Sequence, residues 1–141
     1  MYMRILGIDY GDSRVGISIT DPLGITAQGL ETIHHKGNDK IVLKKLEELI
    51  KQYEVDTIVI GRPINMNGTQ SERTEITEKF IHKLKCKYNK LRIEIVDERL
   101  TTVAAHKAMN FLNVNKNKKR NIVDTISAVY ILETYLNKIK N

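Results

Sequence analysis

Two apolar runs of strand length, Arg4–Asp9 (RILGID) and Val15–Thr20 (VGISIT), flank the segment Gly11-Asp12-Ser13-Arg14. Runs this short, joined by Gly, Asp and Ser, read as two buried strands and the turn of an antiparallel hairpin. Beyond the hairpin, Gly29–Ile33 fits a third, edge strand, and helices and strands then alternate. Asn38 or Asp39 caps a helix whose stripe is Val42, Leu46, Leu49, Ile50 and Tyr53. Thr57–Gly61 (TIVIG) reads as a buried strand, and Arg62–Thr69 as a loop by its Pro, Asn and Gly content. Ser71 caps a second helix with Ile76, Phe80 and Leu84 on one face, and Leu91–Val96 (LRIEIV) is a further strand. Thr101–Leu112 and Ile122–Ile139 read as helices, with the Asn- and Lys-rich segment Asn113–Asn121 as the link between them. A hairpin succeeded by alternating helices and strands implies an α/β fold: a mixed sheet with helices on its faces. Ligands of such open sheets collect at the carboxyl ends of the strands.

The chain has 141 residues, the size of one domain, so residues 1–141 are expected to share one core. No apolar run approaches the roughly 20 residues of a spanning helix, so no membrane partner is expected. The N-terminus lacks the apolar region of a secretory signal, and a cytoplasmic location is expected. One cysteine, Cys86, excludes an internal disulfide and a cysteine-built zinc site. His34, His35, His82 and His106 show no metal-ligand spacing and read as surface or packing residues.

The formal charge is +6, and it is unevenly spread. Residues 1–70 carry 8 basic and 9 acidic side chains, residues 71–141 carry 15 and 8. A basic half points to a polyanion, most often nucleic acid; the alternative is a lysine-rich solvated surface. Six tyrosines and two phenylalanines form no base-stacking motif.

The acids are more specific. Asp9 ends an apolar strand, where a carboxylate is costly to bury unless it is paired, binds a cation or caps the next turn. Asp97 and Glu98 close the LRIEIV strand. Side chains alternate along a strand, so only one of the two can share a face with Asp9. Asp124 lies on the stripe Asp124, Ala128, Ile131, Tyr135 of the last predicted helix; with Asn121 as N-cap it would be an ordinary first-turn acid. Three carboxylates converging at one strand edge would repel one another without a cation, and an all-oxygen set suits Mg²⁺ or Mn²⁺. Around this centre in the sequence stand Gly11, whose missing side chain lets a backbone approach a phosphate, and Arg14, a positive fork. Arg99, Lys116, Lys118, Lys119 and Arg120 flank the acids and would grip a nucleic-acid backbone, unless Lys116–Arg120 is a solvated loop.

Four motifs together resemble the YqgF family, described as pre-16S ribosomal RNA nucleases and earlier as Holliday junction resolvases. They are Gly7–Gly16, with Asp9, Gly11, Arg14 and Gly16; Val59–Gly68 (VIGRPINMNG); Asp97-Glu98-Arg99-Leu100-Thr101-Thr102; and Val123-Asp124 through Ala128. The resemblance implies a ribonuclease H-like fold with a five-stranded mixed sheet flanked by helices. It implies a metal-dependent phosphodiester nuclease with Asp9, Glu98 and Asp124 as catalytic metal ligands, Glu98 rather than Asp97, and Arg14 and Arg99 as phosphate or structural partners. The chain departs from the family pattern at Arg62, usually Leu, at Asn67, often Asp, and at Ser127, commonly Ala. Arg62 adds a positive charge with which to contact substrate.

The leading expectation is thus a nuclease that processes the 5′ end of pre-16S rRNA, acting on structured RNA, with the ribosomal particle as a further partner. One alternative is a Holliday junction resolvase, which needs a dimer to present two sites to branched DNA, where the sequence is equally consistent with a monomer or weak homodimer. Another is a non-catalytic nucleic-acid binding factor in transcription or ribosome assembly. A related acid–glycine hairpin opens the sugar-kinase and actin-like ATPases, but those hold nucleotide between two lobes, and 141 residues supply one.

Overall fold

The computed structural model describes residues 4–64, 67–98 and 116–140, with side chains in the last segment from Asp124 onward. Five strands form one mixed sheet. They are β1 (Arg4–Tyr10), β2 (Arg14–Thr20), β3 (Ala27–His34), β4 (Val55–Arg62) and β5 (Arg92–Asp97), in the spatial order β3-β2-β1-β4-β5. The β1–β2 and β2–β3 pairs are antiparallel, whereas β4 is parallel to β1 and β5 parallel to β4. The hairpin, the edge strand and the mixed sheet are as the sequence predicts.

Alternation along β1 sorts the layers. Leu6, Ile8 and Tyr10 face one side with Val15, Ile17, Ile19, Ile58 and Ile60. That side is covered by α1 (Asp39–Tyr53), through Val42, Leu46 and Leu49, and by α2 (Glu72–Lys87), through Phe80, Ile81 and Leu84. Ile5, Val59 and Val96 face the other side, where α3 (Lys116–Lys140) lays Ile131, Leu132, Tyr135 and Leu136. Asn38 caps α1 by accepting the Lys40 N–H, and Ser71 and Thr74 close a reciprocal capping box on α2.

Three expectations need correction. The last helix begins at Lys116, not Ile122, so residues 116–121 are helical and not part of a link. Asn121 is therefore no N-cap, and Asp124 lies more than two turns inside the helix, beyond reach of its unpaired N–H groups. The buried face of α2 is Thr74, Thr77, Phe80, Ile81 and Leu84, while Ile76 is exposed. The helix read over Thr101–Leu112 lies outside the described residues.

Candidate active site

Asp9 sits on the α3 face of the central strand, and its surroundings follow from two glycines. Across the β1–β2 ladder its partner is Gly16. A Cβ on Gly16 would stand 2.0 Å from the carbonyl oxygen of Asp124, so α3 crosses the sheet there in backbone contact. On the other flank, Ile8 pairs with Ile60 and the next residue of β4 is Gly61. A Cβ on Gly61 would stand 2.6 Å from Glu98 Cγ. Gly61 pairs with Val96 of β5, and Glu98 lies two residues further on, back on the same face. The two missing side chains thus admit Asp124 from one side of Asp9 and Glu98 from the other.

Asp9, Glu98 and Asp124 are all largely buried, with 12%, 6% and 16% of their side chains exposed. Burial, first, and then the hydrogen bond and charge of Glu98 push the Asp9 carboxyl well above the usual carboxylate range, against the pull of Arg73 and Arg14. Burial likewise raises Asp124, although Arg14 opposes it. Asp9 Oδ1 is buried and accepts no hydrogen bond. Asp97 does not join this group; it lines a separate hollow with Arg62, Ile64, Thr134 and Lys138.

Two arginines reach the acids. Arg14 lies on the same face of β2 as Gly16, and its Nε donates to Asp124 Oδ2 at 2.7 Å. Arg73, in the first turn of α2, places Nη2 at 3.5 Å from Asp9 Oδ1 and 3.7 Å from Glu98 Oε2. The sequence reading missed Arg73. The available signal was a cation in a helix's first turn, where the macrodipole disfavours it unless acids lie nearby.

The turn before Arg14 is held from below. Gly11 N–H donates to the Arg14 carbonyl oxygen. The buried His35 accepts the Gly37 N–H at Nδ1, so its Nε2 carries the proton and donates to the Gly11 carbonyl oxygen at 2.8 Å. Asp9, Gly11, Asp12, Ser13, Arg14, Arg73 and Asp124 together line an open cleft.

Arg62 is paired with Glu78 of α2. The backbone of Lys116, Lys118, Lys119 and Arg120 forms the start of α3, and Arg99 lies outside the described residues. Among the described residues no three His, Cys, Asp or Glu already stand at metal-coordinating positions. Asp124 is drawn onto Arg14, while Asp9 and Glu98 meet. The donor set, all carboxylate oxygen with one buried oxygen lacking a hydrogen bond, fits a hard divalent cation. Among the described residues no helix is long and apolar enough to cross a membrane.

Comparison with known proteins places this geometry. The Thermus thermophilus RuvC structure in complex with a Holliday junction superposes with a TM-score of 0.60 at 11% identity, over 99% of this chain and 98% of that one. The fowlpox virus resolvase bound to Holliday junction DNA superposes with a TM-score of 0.64 at 10% identity, over 99% and 100%. The fold is therefore the ribonuclease H-like fold of these resolvases. In sequence, a Ruminiclostridium cellulolyticum protein named "Putative pre-16S rRNA nuclease" is 56% identical over 137 residues, covering 97% of this chain and 96% of its own. An Acetivibrio thermocellus protein of the same name is 50% identical over 95% of each chain. The pattern of the family described as "RuvX: Holliday junction resolvase" matches residues 3–138. With the whole sheet, the cleft and all four motifs inside that match, the chain belongs to the RuvX family, also called YqgF.

Proposed function

We propose that the protein is a divalent-metal-dependent phosphodiester nuclease, hydrolysing structured nucleic acid at the cleft around Asp9, and that its biological substrate is the 5′ end of pre-16S rRNA. The observation that carries the reading is the meeting of Asp9 and Glu98, with Asp124 beside them, at one sheet edge where Asp9 Oδ1 is buried without a hydrogen bond. Relatives about half identical over nearly the whole chain bear a pre-16S rRNA nuclease name, which supports the substrate.

In this reading Asp9, Glu98 and Asp124 would hold Mg²⁺ or Mn²⁺. The chemistry such an ion supplies is Lewis acidity, which activates water and neutralises charge on the phosphodiester. The chain's own residues do the rest. Arg14 orients the Asp124 carboxylate and keeps a cation at the cleft mouth. The missing side chain at Gly11 lets the turn close on the Arg14 carbonyl oxygen, which a Cβ would meet at 2.6 Å, and His35 braces that turn below Arg14. Lys116, Lys118, Lys119 and Arg120 at the start of α3, with Arg99, supply charge for the nucleic-acid backbone, and Arg62 adds to it when released from Glu78. Residues 1–141 act as one domain, in the cytoplasm, as a monomer or weak homodimer, with the ribosomal particle as partner.

The test compares wild type with Asp9→Asn, in Mg²⁺ and in Mn²⁺, on a labelled RNA spanning the precursor 16S 5′ junction and on a four-way DNA junction. Metal-dependent RNA cleavage lost in the variant is the expected result. The resolved junction complexes of fowlpox resolvase and RuvC favour a second reading, Holliday junction resolution by the same residues. Symmetric junction cleavage with intact RNA would establish it. Tight binding without cutting either substrate would indicate a binding factor.

A further inference from the structure

Arg73 is an anomaly in its own helix. It comes directly after Glu72 in the first turn of α2, where the helix N-terminus is positively polarised and disfavours a cation. Its side chain is 46% exposed, yet Nη2 is directed to the two most buried of the three acids, at 3.5 Å from Asp9 Oδ1 and 3.7 Å from Glu98 Oε2. The same nitrogen donates a long hydrogen bond of 3.4 Å to the Tyr10 carbonyl oxygen. The two separations from the carboxylates are those of a charge contact, not of hydrogen bonds. Asp9 Oδ1 accordingly remains without a hydrogen bond although a guanidinium stands beside it. Arg14, by contrast, holds Asp124 through a 2.7 Å hydrogen bond.

We propose that Arg73 is the resident counter-cation of the Asp9–Glu98 pair, a positioning residue that holds the two carboxylates side by side and yields them to a divalent cation. This rests on the metal site proposed for Asp9, Glu98 and Asp124. A solvent-accessible guanidinium at this distance offsets the negative charge of the hydrogen-bonded Asp9–Glu98 pair in the ion-free protein while leaving Asp9 Oδ1 without a hydrogen bond. It therefore competes with an entering ion for the same oxygens, by charge and by occupied space. The competition keeps the site assembled but lowers its ion affinity.

The experiment titrates Mn²⁺ by calorimetry into the full chain without nucleic acid, for wild type, Arg73→Gln, Arg73→Lys and Asp9→Asn. Thermal unfolding is monitored with and without Mn²⁺. Losing a unit charge beside the ion is expected to tighten Mn²⁺ binding about tenfold in Arg73→Gln, with a larger Mn²⁺-induced rise in Tm than in wild type. Arg73→Lys keeps a cation there and stays near wild type. Asp9→Asn loses the binding. Equal or weaker Mn²⁺ affinity in Arg73→Gln, with Asp9→Asn still defective, overturns the proposal and leaves the metal site standing. Wild-type Mn²⁺ affinity in Asp9→Asn, or no Mn²⁺ response in any of the proteins, overturns both.

Discussion

Replacing Gly61 by alanine tests the link between sheet geometry and chemistry. The new Cβ would lie 2.6 Å from Glu98 Cγ, 3.0 Å from Glu98 Oε1 and 2.6 Å from Ile131 Cδ1. Ordinary contact begins near 3.4 Å, so each methylene or methyl must retreat by about 0.8 Å. Ile131 Cδ1 ends a side chain and can rotate away. Glu98 Cγ cannot move alone, because its buried carboxylate is hydrogen-bonded to Asp9. Overfilling a packed site of this kind costs about 1–3 kcal/mol. A displacement approaching 1 Å in a group at the reacting centre costs on the order of 100-fold in rate. Gly61→Ala is therefore expected to fold, to lose about 1–3 kcal/mol in urea unfolding, and to cleave the precursor RNA about 100-fold more slowly under single-turnover conditions. Wild-type cleavage by a destabilised Gly61→Ala would show that the Glu98 position does not matter to the reaction. Unchanged stability and unchanged rate would refute the packing argument itself.

The same contacts set other outcomes. In Gly16→Ala the obstruction is the Asp124 carbonyl oxygen at 2.0 Å, part of a helix backbone, so α3 must move by about 1.4 Å to reach ordinary contact; a stability loss of about 3 kcal/mol or more in urea unfolding is expected. Arg14→Gln removes the 2.7 Å bond to Asp124; because Arg14 is a third exposed, the stability cost is held to about 1 kcal/mol, while cleavage falls about 10- to 100-fold. At the α1–α2 junction, burial raises Asp39, but hydrogen bonds from Lys83 and Tyr10 outweigh it and hold the carboxyl below its usual range. The folded state therefore binds that proton less readily than the unfolded chain, and the stability it lends is present above the ordinary carboxylate range and lost as pH falls through the lowered value. Urea midpoints between about pH 6 and about pH 3 should fall more steeply in wild type than in Asp39→Asn.

The local chemistry of the chain was legible because it is short-ranged. The opening hairpin, the Asn38 and Ser71 caps and the apolar stripe of α1 each depend on residues within a few positions of one another. The start of α3 was misread because Asn and Lys composition resembles a linker, while burial of the helix's later stripe supports turns that propensity alone would not. Ile76 was misplaced because two faces of α2 carry apolar residues, and only contact with the sheet chooses between them.

The sequence by itself determined the strands, the order of the described elements and the presence of acids at their ends, since period, turn chemistry and capping are local properties. Tertiary structure decided which acids meet. Pairing of Val96 with Gly61 carries Glu98, not Asp97, back to the Asp9 face, and a glycine opposite Asp9 lets α3 descend with Asp124. It also brought Arg73 to Asp9 from 64 residues away in the chain. Side-chain charge is written in the sequence, but the distance over which one charge acts on another exists only once register and layer packing are fixed.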